Sequence, residues 1–179
     1  MASPDWLVHD SDMTDSHHGN ATSPAPGGKV RARLAELGLE PLSHPAVGPY
    51  QPLVIDGNLA FVSGHIGWRN GGASEVGLLG DDFTVEDGQR AARDAALALL
   101  GTLERGLGTL DRIASVPRLF GMVRALPTFA EHPAVINGAS QVLIDVLGDA
   151  GAHSRSAVGM SSLPFGAAVE IEAVVRLAW

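Results

Sequence analysis

One arginine and two glutamates sit inside segments otherwise composed for burial: Arg155 in His153-Ser-Arg-Ser-Ala-Val-Gly159, and Glu170 and Glu172 in Val169-Glu-Ile-Glu-Ala-Val-Val175. The second segment alternates. Val169, Ile171, Ala173 and Val175 suit a core face, and the two glutamates project from the other side of the same strand. A half-solvated sheet puts carboxylates on its wet face with no further purpose. Arg155 raises a second reading, because a guanidinium grips a carboxylate or phosphate through two charge-assisted bonds that lysine cannot reproduce. The small residues Ala157 and Gly159 leave room on the side to which Arg155 projects. The chemistry these types suggest is an anion site with a carboxylate nearby.

The rest of the chain must position these groups. A short amphipathic helix is expected from Lys29 to Leu37, ended by Gly38. Pro45, Pro49 and Pro52 keep the following segment extended around Tyr50, the chain's one tyrosine. Leu53–Ile55 and Leu59–Ile66 read as strands joined by a turn at Asp56-Gly57-Asn58. Residues 67–80 read as a glycine-rich loop, with Gly71-Gly72 no phosphate cradle. Thr84-Val-Glu-Asp87 is a variant capping box opening a helix to about Leu107, whose stripe Ala92, Ala95, Ala96, Leu99, Leu103 and Leu107 suits a sheet. Ile113–Ala125 is a strand region in which Pro117 predicts an irregular or edge stretch. A second helix spans about Ala134 to Leu147 and stops at Gly148 and Gly151, followed by strands Ser154–Ser162 and Ala167–Leu177. The β-β-β-α-β-α-β-β order predicts a two-layer α/β sandwich with both helices on one face. Local reasoning pairs the last two strands as a hairpin across Leu163–Gly166.

Composition bounds the function. The chain has 179 residues and 45% hydrophobic content, enough for one domain with a sizeable core, expected over residues 29–179. Residues 1–28 have the Asp, Ser, His, Pro and Gly content of a disordered polar tail, with Met13 a second candidate start. His17 and His18 in that tail read as solvated, and His44, His65, His132 and His153 have no ligand spacing, so no metal site is expected. There is no cysteine, which excludes disulfides and thiolate chemistry. A net charge of −8 and a pI near 5.2 argue against a grip on nucleic acid. No apolar stretch spans a bilayer and the N-terminus lacks a secretion signal, so the cytoplasm is the expected location.

Arg155-Ser-Ala-Val and Leu163-Pro-x-Gly-Ala-x-Val-Glu170-Ile-Glu-Ala resemble the C-terminal signature of the Rid family, the reactive intermediate deaminases also called YjgF-like or L-PSP proteins. Further landmarks follow in order: Val47-Gly-Pro-Tyr50, Phe61-Val-Ser-Gly-His-Ile66, a helix near Gln89, and Val135-Ile-Asn137. The likeness runs from about Leu34 to Trp179. Arg33-Leu-Ala-Glu-Leu-Gly38 and Val135-Ile-Asn-Gly-Ala-Ser140 resemble a longer branch of the family. The resemblance implies a chorismate-mutase-like fold, a mixed sheet with the final strand inserted between earlier ones. It also implies a homotrimer with pockets at subunit clefts.

By the same resemblance, Arg155 matches the arginine that holds a substrate carboxylate, against the plain alternative of a surface ion pair. Glu170 matches the glutamate that orients or activates water, with Glu172 a structural partner. Tyr50 matches a pocket tyrosine or is a packing residue. Asn137 matches a helix asparagine or bonds its own helix. Ser63 offers hydroxyl or backbone contacts at a strand end, or is a simple strand-end serine. Ala157 stands where relatives often carry cysteine, so no thiol chemistry transfers. The implied activity is hydrolytic deamination of 2-imino or 2-enamino acids to 2-keto acids and ammonia, with no cofactor. The alternative is a non-catalytic trimeric binder of small carboxylic metabolites, since residues 121–133 depart from the family's usual loop.

Overall fold

The computed structural model describes residues 28–43 and 47–178, so the expectations for residues 1–27, His44 and Pro45 lie outside the described residues. Helix α1 (Lys29–Glu36) leads into strands β1 (Leu53–Asp56) and β2 (Leu59–His65), a hairpin in which Asp56 pairs with Leu59 across Gly57-Asn58. Its alternation is as the sequence predicts: Ala60 and Val62 are buried, while Phe61 faces outward.

Residues 67–80 are not simply a loop. Trp68–Arg69 (β3) and Gly72–Ala73 (β4) pair across Asn70 at φ 52° and Gly71 at φ 84°. Two successive left-handed residues define the tight primed hairpin turn for which Asn-Gly is the strongest short signal, so the loop expectation is corrected here. Arg69 anchors the hairpin by donating Nε–H and Nη2–H to the Asp94 carboxylate at 2.9 and 2.8 Å.

Helix α2 (Val85–Leu107) opens with the complete reciprocal capping box of Thr84 and Asp87. Strand β5 (Ile113–Arg124) follows, then helix α3 (His132–Leu147) and strands β6 (Ser154–Met160) and β7 (Val169–Leu177). The register of β5 against β7 shifts between Ile113 and Arg118, around Pro117, and β6 joins β5 only from Arg118 onward. The proline, which has no N–H to donate, therefore lies where β5 is least paired.

The five-stranded order is β1-β2-β7-β5-β6, with β5 and β6 parallel and the other neighbours antiparallel. The local expectation of a β6–β7 hairpin is overturned, and the inserted final strand implied by the resemblance is what forms. Strand β7 is half-buried by alternation on one face and covered by two neighbours at its edges, so it is the sheet's centre.

Helices α2 and α3 pack on each other and on one sheet face. They approach closely at Gly138, where a Cβ would overlap the Gln89 carbonyl, and Gln89 Nε2 donates to Ala134 O at 3.0 Å. Between helices and sheet lies the main core, including Leu99, Leu103, Leu119, Val123, Ile136, Leu143, Ile171 and Val175. Buried His65 stitches the layers: its Nδ1–H donates to Ser63 O at 2.6 Å, and its Nε2 accepts from the Thr102 hydroxyl at 2.7 Å. Among the described residues, no α-helix packs on the other sheet face. At one end it has a smaller apolar cluster of Ile66, Leu163 and Ala167 with Trp68, Ala73 and Met122.

Candidate functional site

Glu170 lies on the helix-free face because it alternates with buried Val169 and Ile171 on β7 and pairs across with Met122. Its neighbour on β2 is Gly64, where a Cβ would overlap Glu170 Oε1; the register shift between Val62 and His65 places this glycine beside the carboxylate. Gly64 is thus a requirement of close approach. Glu170 opens onto a cleft of about 390 Å3 lined by Val47, Tyr50, Gly64, Ile66, Pro164 and Phe165. None of these lining side chains is cationic. Burial pushes the Glu170 carboxyl above the ordinary carboxylate range, and the charge of Glu172 pushes it further.

Tyr50 sits at the rim, 44% exposed, on a segment held down by Ser63. The Ser63 hydroxyl donates to Gln51 O at 2.8 Å, and its backbone N–H donates to Pro52 O at 3.1 Å. Ser63 and Glu172 line a second hollow on the same face with Arg118, Phe61 and Phe120.

Arg155 lies elsewhere. It pairs in register with Leu119, a core residue, and its guanidinium is turned toward α3. Nη1 donates to Ser140 Oγ at 2.8 Å, and Nη2 donates to Pro133 O at 3.0 Å and to Asn137 Oδ1 at 2.7 Å. Arg155 and Asn137 are therefore together. The room expected beside Arg155 is partly taken, because a Cβ at Gly159 would meet His132 Nε2 at 2.6 Å. The His132 ring is fixed edge-on against Phe129 with centroids 5.3 Å apart.

Two residues that sequence reasoning passed over complete this cluster. His153 Nδ1–H donates to Gly151 O at 2.6 Å, which leaves Nε2 to accept from the Ser140 hydroxyl at 2.9 Å. Ser140 accepts from Arg155 in turn, so the donors run in one direction: Arg155 to Ser140 to His153 to Gly151. The signal was the spacing of two between His153, just before β6, and Arg155 on it, which in extended chain places both on one side.

The structure thus makes two groups: Arg155, Asn137, Ser140 and His153 on the helix side of the sheet's β6 edge, and Glu170 with Tyr50 on the helix-free face. Ser63 belongs to the second group through its hold on the Tyr50 segment. Among the described residues, no group of three or more His, Cys, Asp or Glu is placed to hold a metal ion. No helix among them is long and apolar enough to cross a membrane.

The comparisons agree with this architecture. Residues 31–174 match the family described as "YjgF/chorismate_mutase-like, putative endoribonuclease". Protein TCP17 of Trypanosoma cruzi is 40% identical over 152 residues, covering 84% of this chain and 95% of the relative. The crystal structure of the protein Atu1372 from Agrobacterium tumefaciens, described as of unknown function, superposes with a TM-score of 0.78 at 42% identity, covering 84% of this chain and 93% of that one. RidA from an Antarctic Psychrobacter superposes less fully, with a TM-score of 0.51 at 25% identity, covering 75% of this chain and 94% of that one. A family model spanning most of the sequence, relatives at this identity, and a final strand inserted at the sheet's centre lead to one conclusion: the chain belongs to the YjgF/chorismate-mutase-like family.

Proposed function

We propose that this protein hydrolyses small 2-imino acids to 2-keto acids and ammonia, at sites completed by a second copy of the chain. The observation that carries the reading is the half-buried Glu170 carboxyl, raised in pKa and open to a cleft without a cation. A carboxyl with these properties exchanges protons nearer neutral pH than a solvated one does, which suits general acid–base work.

In the reaction, a water oxygen bonds to the imine carbon as Glu170 takes a proton from it. The resulting amino alcohol collapses to the carbonyl, the carbon–nitrogen bond breaks, and the nitrogen leaves as ammonia carrying the two protons the water supplied. Glu170 returns one of them. Arg155 holds the substrate carboxylate, which fixes the imine carbon in place; such positioning substitutes for more demanding chemistry. The carboxylate displaces Asn137 Oδ1, which now fills the guanidinium edge that a two-pronged grip needs. Asn137 is exposed and has room to turn.

Arg155 and Glu170 of one chain are on opposite sides of the sheet, so a three-carbon substrate does not reach both. A homotrimer of the kind the family resemblance implies, a closed ring of heterologous contacts, sets the Arg155 group of one subunit against the Glu170 group of the next. It also covers the helix-free sheet face. The domain of residues 29–179 is the unit of this assembly, and a cytoplasmic location suits a substrate formed by amino-acid metabolism.

The test is whether purified protein speeds the decay of 2-iminopropanoate generated by a dehydratase. Accelerated release of pyruvate and ammonia supports the reading, and no acceleration overturns it. The occupied edge of Arg155 favours one other reading, a binder of small carboxylic metabolites without turnover; saturable keto-acid binding with no rate enhancement is its mark. An endoribonuclease role is less well served, because a net charge of −8 offers no broad attraction for phosphate.

A further inference from the structure

Phe165 is held in a conformation that a non-glycine residue adopts at a cost. Its φ of 57° falls in the left-handed region, where the side chain crowds the backbone. Bulky residues persist there when their surroundings dictate it, and such positions cluster at ligand sites. Phe165 is nevertheless 52% exposed, so burial of the ring is not what holds it. What meets the ring is Trp68, edge-to-face, with centroids 5.2 Å apart and planes at 82°.

Trp68 is itself fixed. It belongs to the β3–β4 hairpin, closed by the Asn70-Gly71 turn and tied to α2 by the two Arg69–Asp94 bonds. Its inner side packs with Ile66, Leu163 and Ala167. Phe165, backed by Trp68, therefore forms a preset apolar wall, and with Pro164, Ile66, Val47 and Tyr50 it surrounds the space in front of Glu170. This space, about 390 Å3, is within the range of ligand pockets and far exceeds what a three-carbon imino acid fills. Its lining has no cation for the substrate carboxylate. Besides the partner subunit's Arg155, which the reading above brings to Glu170, what remains to occupy it is the substrate's own side chain.

We propose that the Phe165–Trp68 wall selects 2-imino acids with a bulky apolar side chain, such as those derived from leucine or phenylalanine, over those derived from alanine, serine or glutamate. This rests on the hydrolytic reading above for its reaction but on the wall alone for its selectivity. Apolar contact discriminates weakly per methylene, and several methylenes together give a tenfold or larger preference, on the order of what such pockets achieve.

The experiment compares the leucine-derived and alanine-derived imines, each made in situ by an amino-acid oxidase, and in parallel the affinities of 4-methyl-2-oxopentanoate and pyruvate. In the natural protein, kcat/KM for the leucine-derived imine exceeds that for the alanine-derived one by about tenfold, and the keto-acid affinities rank in the same order. Phe165→Asn removes the wall with a residue that tolerates left-handed φ, and the preference narrows to a few-fold. Phe165→Leu retains apolar contact and keeps more of it. Equal turnover of both imines, with equal affinity for both keto acids, overturns selection while leaving hydrolysis standing. Preferential binding of the larger keto acid with no turnover of either imine sustains the wall and overturns hydrolysis. A preference that Phe165→Asn leaves intact, in a variant that folds as shown by an unchanged circular dichroism spectrum, also overturns the proposal.

Discussion

Arg155 and Glu170 lie on opposite sides of one sheet: Arg155 shares its register position with the core residue Leu119 and bonds to α3, whereas Glu170 pairs with Met122 on the face the helices leave bare. If both act on one substrate, they come from different copies. Neither Arg155→Ala nor Glu170→Gln is then active alone, but a mixture unfolded and reassembled together recovers activity. In a closed ring with random mixing, about a quarter of the sites draw an intact Arg155 from one subunit and an intact Glu170 from the next. Turnover of the reassembled mixture is the measurement. Recovery near zero, with oligomers shown by mass to have mixed, assigns both groups to one subunit or removes one of them from the site.

Arg155→Lys separates geometry from charge. Lysine retains the positive charge but cannot reproduce the three bonds that the guanidinium makes to Ser140, Pro133 and Asn137. Keto-acid affinity falls by about tenfold or more, equivalent to about 1.4 kcal/mol. An arginine facing only small residues, as expected from Ala157 and Gly159, would contribute little to stability. The structure alters this, because the same three bonds tie β6 to α3. Thermal denaturation therefore registers a loss of about 1 kcal/mol as well, the typical net worth of a hydrogen bond or two at a part-buried site.

The hierarchy of what was legible follows from range. Thr84 and Asp87 cap α2 as their spacing of three predicts, and Val169 to Val175 alternate as written, because each pattern is settled by neighbours in sequence. The Asn70-Gly71 turn was equally local and went unread only because its strands are two residues each. The partners of β7 were different in kind. Nothing in residues 163–166 tells β7 to bypass β6 and insert between β2 and β5, a choice made by long-range pairing. The same limit hid the site's arrangement: alternation gives Glu170 its side of β7 and Arg155 its side of β6, but which sides agree depends on the intervening β5 register.

Ser140 tests whether the directional chain from Arg155 to Gly151 matters. Ser140→Ala removes the acceptor of Arg155 Nη1 and the donor to His153 Nε2 together. It is expected to raise KM several-fold while changing kcat less, since the guanidinium still reaches the substrate but is less well held. His153→Gln places an amide oxygen near the position of Nε2 and preserves the acceptor, so it resembles the natural protein. His153→Leu removes the acceptor and resembles Ser140→Ala. Equal behaviour of the two His153 variants in steady-state kinetics eliminates the chain as a positioning device.

Glu170 gives the pH dependence its sign. Burial, with the charge of Glu172 adding to it, raises the folded-state pKa above the unfolded one, so the neutral carboxyl fits the fold better than the carboxylate does. The stability this group contributes is fully present below the ordinary carboxyl range, about pH 4.3, and is lost as pH rises through the higher folded value. Glu170→Gln keeps the shape and stays neutral at every pH. Its melting temperature therefore exceeds that of the natural protein at pH 7, and the gap closes as pH falls toward 4. Turnover changes the other way: the amide takes no proton from water, and the loss of general base catalysis costs about a hundredfold or more. Melting curves at several pH values, alongside imine hydrolysis at pH 7, check both halves. A variant less stable than the natural protein at pH 7 would place the ionised carboxylate in a favourable setting and remove the physical basis for its role as the base.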